Sequence, residues 1–243
     1  MIALVNKEIG SFLNSLTGYI VITVFLVITG LFIWVFPGAL NIPESGYATL
    51  DTLFIIAPWV FLFLVPAVTM RMFAEERRSG TLELLLVRPV SDIQIVIAKF
   101  VSSVMLVLIS LLPTVVYYFS VYSLGNPAGN LDTGAILGSY IGLVFLGACY
   151  SAIGLFSSSL TENQIVSFIV AVLLSFFFFT GFELLSALPM PVRVEEVLLY
   201  MGINEHYNSI SRGVVDTRNI VYFVALIAFF IFSTRTVLQS RKW

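Results

Sequence analysis

The chain has 243 residues, of which 59% are hydrophobic and 11% charged; soluble domains carry about 25% charged residues. The net charge of −2 argues against a nucleic-acid partner, and the single cysteine excludes an internal disulfide. The composition therefore predicts a membrane protein.

Six apolar runs are long enough to cross a bilayer, whose core of roughly 30 Å needs about 20 helical residues. They cover residues 18–36, 53–70, 100–124, 135–159, 165–185 and 220–238. We therefore expect an all-α membrane protein with six transmembrane helices, forming one domain over residues 1–243.

Residues 1–17 are too short and too polar to span, but their apolar residues recur at helical spacing. These are Ile2, Val5, Ile9, Phe12, Leu13 and Leu16, with Lys7, Ser11, Asn14 and Ser15 on the opposite face. The pattern predicts an amphipathic helix in the membrane interface. It would act either as a simple anchor or as a lever that contacts a cytoplasmic partner.

The lysines and arginines are unevenly distributed between the two sides of the predicted bundle. Arg193, Arg212 and Arg218 occupy the connector before the last run. The other nine of the twelve fall on one side: Lys7, Arg71, Arg77, Arg78, Arg88, Lys99, Arg235, Arg241 and Lys242. Because positive charge accumulates on the cytoplasmic side, both termini are expected in the cytoplasm.

The connector between the second and third runs, residues 75–89, is expected to be cytoplasmic as well. Its three leucines at helical spacing, followed by a proline, predict a two-turn helix over residues 81–87. Ser91 and Gln94 predict a capping box that starts the next helix. Neighbouring charges of both signs favour a protein partner over anionic lipid. The alternative is a solvated loop with an interfacial helix.

The fourth run carries glycines at intervals of four, Gly134, Gly138 and Gly142, which predicts close helix packing. Glu183 is the only acidic residue within a predicted span. Its position near the outer end makes it a possible outer-mouth site.

The external segment, residues 186–219, is interrupted by Pro189 and Pro191. The apolar residues that follow the break are spaced as in a short amphipathic helix. We expect an external cap or a re-entrant helix pair.

Catalysis by this chain is not expected. The sequence has no G-x-x-x-x-G-K-[ST] phosphate loop. With a single histidine it offers no clustered metal site and no plausible catalytic triad. We therefore expect no bound cofactor.

The connector contains Glu76, followed by Gly80–Thr81–Leu82–Glu83–Leu84–Leu85 and Pro89. This pattern resembles the cytoplasmic-loop signature of ABC-2 type exporter permeases. Six spans, an N-terminal amphipathic helix, and Ser158–Ser159–Leu160–Thr161–Glu162–Asn163 after the glycine-rich span extend the resemblance over essentially the whole chain. The C-terminal part, from His206 to Trp243, looks most like the permease subunit of the gliding-motility-associated ABC transporter.

The resemblance implies a coupling helix that docks on a dimer of separate ATP-binding subunits, which hold ATP and Mg. Glu76 would pair with basic groups on the ATPase, and Gly80 and Thr81 would form the turn before the helix. The residues implied in docking are Leu82, Leu85 and Leu86 in a groove of the ATPase, Glu83 and Arg88 as rim charges that fix the register, and Pro89 as the helix stop. Six spans are half of the family's usual pore, which implies a second copy or a related membrane subunit.

Two alternatives to an exporter remain at this point. One is a non-transporting mechanical or assembly scaffold driven by the same ATPase. The other is a proton-coupled secondary transporter, for which Glu183 alone is a poor relay. The scarcity of polar side chains in the spans favours a lipid-like substrate or mechanical work.

Overall fold

The computed structural model describes residues 1–81, 91–189, 191–213 and 216–240, and its regular structure is helical. The helices are α1 Ile2–Leu13, α2 Leu16–Trp34, α3 Ile42–Ser45, α4 Asp51–Thr69, α5 Arg71–Arg78, α6 Asp92–Leu111, α7 Val115–Leu124, α8 Thr133–Leu160, α9 Gln164–Phe176, α10 Phe182–Ser186, α11 Val192–Met201, α12 Ile203–Ser211 and α13 Thr217–Gln239. A 3₁₀ turn, Leu112–Thr114, joins α6 to α7, and a π-helical turn, Phe177–Gly181, joins α9 to α10.

Six helical segments are long and apolar enough to cross a membrane, which confirms the predicted all-α fold with six spans. They are Leu16–Trp34, Asp51–Arg78, Asp92–Leu124, Thr133–Leu160, Gln164–Ser186 and Thr217–Gln239. The second and third spans extend well beyond their apolar runs, because α5 and the first turns of α6 continue the helices through charged sequence.

The fourth span, α8, lies at the centre and contacts α4, α6, α9, α12 and α13. Its small residues explain how several helices approach it closely. Gly138 and Gly142 face α12, Gly147 faces Val107 of α6, and Gly154 meets Thr69 so closely that an added methyl group would overlap it. Gly134 has only the Asp132 carboxylate nearby.

The N-terminal helix, α1, lies against α6 and ends earlier than the predicted helix over residues 1–17. The chain breaks at Ser15, whose hydroxyl accepts a hydrogen bond from the Gly18 amide and starts α2. Leu16 therefore belongs to the first span rather than to the amphipathic helix. The side of α1 that packs against the protein carries Leu4, Ile9, Phe12 and Leu13, whereas Ile2 is left uncovered.

The segment between the fifth and sixth spans contains the helix pair α11 and α12. Two buried side chains attach α12 to its neighbours. The Tyr207 hydroxyl donates to the Phe54 carbonyl at 2.7 Å, and burial raises the pKa of Tyr207, which keeps this donor neutral. His206 lies between the Tyr200 carbonyl and the Asn219 side chain.

Candidate coupling site

The most unusual buried group lies where the third span begins. The side chain of Lys99 is 0% exposed, and its ammonium donates to Glu8 Oε1 at 2.9 Å and to the Met72 carbonyl at 2.7 Å. It also pairs with Glu76 Oε1 at 2.9 Å. We call Glu8, Glu76 and Lys99 the ion cluster.

Three oxygens surround the ammonium: it donates hydrogen bonds to Glu8 and to the Met72 carbonyl, and Glu76 Oε1 lies within ion-pair distance. A buried charge is tolerated only with such partners. The Phe73 ring, with its centroid 5.2 Å from Nζ, adds a cation–π contact. The side chains of Glu8 and Glu76 are only 14% and 13% exposed, and Lys7 approaches Glu76 at 3.8 Å from the solvent side.

The ion cluster joins three elements that are distant in sequence. Glu8 lies on α1, Glu76 near the end of α5, and Lys99 two turns into α6. Because α5 precedes the 75–89 connector's leucine-rich part and α6 follows it, one ammonium holds both ends of the connector together.

The helix α5 is attached to the central span by a second set of contacts. The chain breaks between α4 and α5 at Met70, which frees amide groups in the first turn of α5. The Ser158 hydroxyl of α8 accepts from the amides of Phe73 and Ala74, both at 3.0 Å, and donates to the Met70 carbonyl at 2.9 Å. Ser158 therefore caps a helix in a different part of the chain.

Arg77 strengthens this attachment. Its guanidinium donates to the Ser159 carbonyl at 2.8 Å and to Glu162 at 3.2 Å, and its side chain is almost buried. These contacts place α5 against the end of α8, where the Ser158–Asn163 segment lies.

A groove of about 280 Å³ opens between α1 and α5 beside the ion cluster. Its lining is strongly charged and includes Lys7, Arg71, Glu75, Glu76 and Thr81. A polar groove of mixed charge at the start of the connector suits contact with another protein better than contact with lipid tails.

Of the residues predicted to couple the chain to an ATPase, Glu76, Gly80 and Thr81 lie in the described part of the chain. Glu76 lies in the ion cluster, so its Oε1 is engaged by Lys99 within the chain rather than presented to a partner. Gly80 ends α5 with φ +69°, a conformation that favours glycine. Thr81 donates from Oγ1 to the Glu76 carbonyl at 3.3 Å. The residues outside the described part of the chain are Leu82, Glu83, Leu85, Leu86, Arg88 and Pro89.

Glu183 lies far from Glu76 and Gly80, at the end of the bundle that carries α11 and α12. It is exposed, and its carboxylate accepts a hydrogen bond from Asn204 of α12 at 2.9 Å. Gly138 and Gly142 also face α12. The structure therefore separates the connector from the possible outer-mouth site by the length of the bundle.

Sequence reasoning missed Glu8 as a site residue and treated Lys99 only as an orienting charge. The spacing of the neighbouring apolar residues indicates that both lie on the buried faces of their helices. Glu8 lies four residues after Leu4 and four before Phe12, on the face that packs against the protein. Lys99 likewise follows Ile95 and Val96 on the buried face of α6.

Comparison with known families supports this architecture. A family model described as ABC-2 family transporter protein matches residues 40–201, about two thirds of the chain. The matched region includes α4, α5, the connector, α6 and α8. Comparison with curated proteins found no match. The chain belongs to the ABC-2 family of transporter proteins and is a transmembrane subunit of an ABC transporter.

Proposed function

We propose that this chain is the permease subunit of an ATP-driven exporter, and that a separate ATP-binding subunit drives it through the 75–89 connector. The observation that carries the proposal is the ion cluster. Lys99 binds Glu76 across the connector, so the two helices that bracket the docking segment are held as one unit.

Displacement of the connector would move the second and third spans together. The helix α5 follows α4 after a single-residue break, and α6 begins the third span directly after the connector. Through Ser158 and Arg77, α5 also holds the end of α8. Displacement of a rigid, hydrogen-bonded element is transmitted further than displacement of a solvated loop.

Glu76 takes a different role from the one that the resemblance implies. Its side chain is 13% exposed and its carboxylate already pairs with Lys99. We therefore assign Glu76 to positioning the connector, and the docking contacts to Leu82, Leu85 and Leu86. Glu83 and Arg88 would fix the register of the docked helix.

The distribution of charge and the family resemblance support the proposed orientation, subunit composition and biological role. The end that carries α1, α5 and the start of α6 would face the cytoplasm of a bacterial inner membrane, with both termini on that side. A second copy of the chain or a related membrane subunit would complete the pore, and the ATPase dimer would bind ATP and Mg. The C-terminal resemblance favours a role in gliding motility.

The docking assignment is tested by changing Leu82, Leu85 and Leu86 together to serine. Burial of one leucine contributes roughly 1.5–3 kcal/mol, so the triple change is expected to remove on the order of 5 kcal/mol, more than a thousandfold in affinity. Insertion should survive, because the spans are unchanged. The measurement is recovery of an ATP-binding chain with the purified variant at matched membrane abundance.

A matched control is Ile2→Ser, which removes an exposed apolar side chain from α1 at the same end of the bundle. It should leave recovery of the ATP-binding chain unchanged. Undiminished recovery with the triple variant would show that the leucines bind lipid or solvent rather than the ATPase.

A further inference from the structure

A second concave site lies away from the connector region, at the end of the bundle that carries α11 and α12. It is a pocket of about 610 Å³ bounded by α4, α8, α12 and the π-helical turn. We call it the outer pocket. The connector contacts described above do not involve it.

The outer pocket is polar near the start of α4 and apolar further along that helix. Asp51 begins the second span, and Asn208 and Arg212 lie on or just after α12. Ile55 and Trp59 follow Asp51 at intervals of four along the same face of α4. Eight residues of helix correspond to about 12 Å, so the apolar wall descends from the end of the span into the bilayer.

The apolar wall is open to the side. Ile55 is 53% and Trp59 46% exposed, and Phe179 packs edge-on against Trp59 with ring centroids 5.5 Å apart. A ligand could therefore place its apolar part against this wall without leaving the membrane.

The polar part of the outer pocket carries two side chains of opposite charge, Asp51 and Arg212. Within the described ranges, Asp51 and Arg212 make no ion pair and no side-chain hydrogen bond, with each other or with other residues. A purely anionic headgroup would be repelled by Asp51, and a cationic one by Arg212. A headgroup with both charges can pair with each.

We propose that the outer pocket binds an amphiphile with a zwitterionic headgroup, whose ammonium faces Asp51, whose phosphate faces Arg212 and whose acyl chain lies along Ile55 and Trp59. The inference gives the proposed transporter a substrate class but depends on the pocket alone. Binding is measured without the ATP-binding subunit, so its failure would leave the docking proposal intact.

The test uses Trp59 as the reporter in the full-length chain. The other tryptophans, Trp34 and Trp243, are changed to Phe, and the protein is reconstituted in bilayers of phosphatidylethanolamine and phosphatidylglycerol in equal amounts. Bromine, which quenches tryptophan fluorescence on contact, is placed on the acyl chains of one lipid or the other. Selective binding should enrich the ethanolamine lipid at Trp59 roughly threefold, the scale of one exposed ion pair.

Two controls define the outcome. A Phe119→Trp reporter, placed on an exposed position of α7 in a chain whose three tryptophans are Phe, should be quenched equally by both lipids. Asp51→Asn with Arg212→Gln should make quenching of Trp59 equal as well. Equal quenching in the unaltered pocket, or stronger quenching by the glycerol lipid, would overturn the proposal. Absence of quenching by either lipid would mean that protein, such as a second copy of the chain, covers the pocket, and would overturn it too.

Discussion

Replacing Lys99 by methionine should detach α1 from the bundle. Methionine is close to lysine in length and fits an apolar environment, so the change removes the charge with little loss of volume. The carboxylates of Glu8 and Glu76, which both contact the same ammonium at 2.9 Å, would then face each other without a cation between them. Glu8 is carried on α1, whose apolar side chains that pack against the protein are only partly buried.

The magnitude follows from the burial of the ion cluster. Removing one partner of a buried ion pair costs roughly 3–5 kcal/mol. The side chains of Glu8 and Glu76 are still 14% and 13% exposed, so the ion cluster is not completely removed from water. We therefore take the lower end, about 3 kcal/mol, which corresponds to a roughly 100-fold rise in the population with α1 detached.

Hydrogen exchange of a peptide covering residues 2–13 measures this population. An isolated helix of about 12 residues is marginal in water, so the amides of α1 exchange when the helix detaches. Lys7→Met is the matched control, because Lys7 is 61% exposed and 3.8 Å from Glu76; an exposed ion pair contributes about 1 kcal/mol or less. Combining Lys99→Met with Glu8→Gln and Glu76→Gln should restore most of the protection. Equal exchange in Lys99→Met and Lys7→Met would refute the reasoning.

Three further changes probe other parts of the structure. Ser158→Ala should cost about 1–3 kcal/mol and speed amide exchange in residues 70–81, because two amides lose their acceptor; Ser159→Ala, which removes only a bond within α8, should not. Gly154→Ala should lower the thermal stability in detergent by about 1–3 kcal/mol, since its methyl group would overlap a threonine of α4; Gly134→Ala should be neutral or slightly stabilising, and equal losses would contradict the packing. Glu183→Gln should leave membrane abundance unchanged, because the side chain is exposed and a glutamine oxygen can still accept from its partner; reduced abundance on immunoblots would argue otherwise.

The membrane fold could be predicted from the sequence because span formation is a local property. Twenty apolar residues form a helix and cross a bilayer whatever the rest of the chain does. The capping box at Ser91 and Gln94 is equally local, and the structure confirms it, with the Ser91 amide donating to Gln94 Oε1 at 3.1 Å.

The ion cluster could not be predicted in this way, because it depends on how helices meet. Residues 8, 76 and 99 come together only after α1 has packed against α6 and the connector has returned the chain to the bundle. Their charges also match a simpler interpretation, in which basic residues flank a span and orient it. Helical spacing shows that Lys99 lies on the buried face of α6, but it does not identify the partner.

Two helical segments, the second span and α8, connect the outer pocket with the contacts around α5. The second span begins at the pocket with Asp51 and ends at the ion cluster with Glu76, and α8 has Ser139 at the pocket and Ser158 against α5. The contacts that fix the connector and the residues that line the pocket are therefore carried on the same two segments of the chain.

Co-purification from native membranes tests whether a separate ATPase drives this chain. The unaltered full-length chain is isolated in mild detergent, and the bound chains are identified by mass spectrometry. We expect a partner that carries the G-x-x-x-x-G-K-[ST] phosphate loop and hydrolyses ATP in the purified complex. A chain that purifies without any ATP-binding partner, with no ATPase activity in the sample, would contradict it.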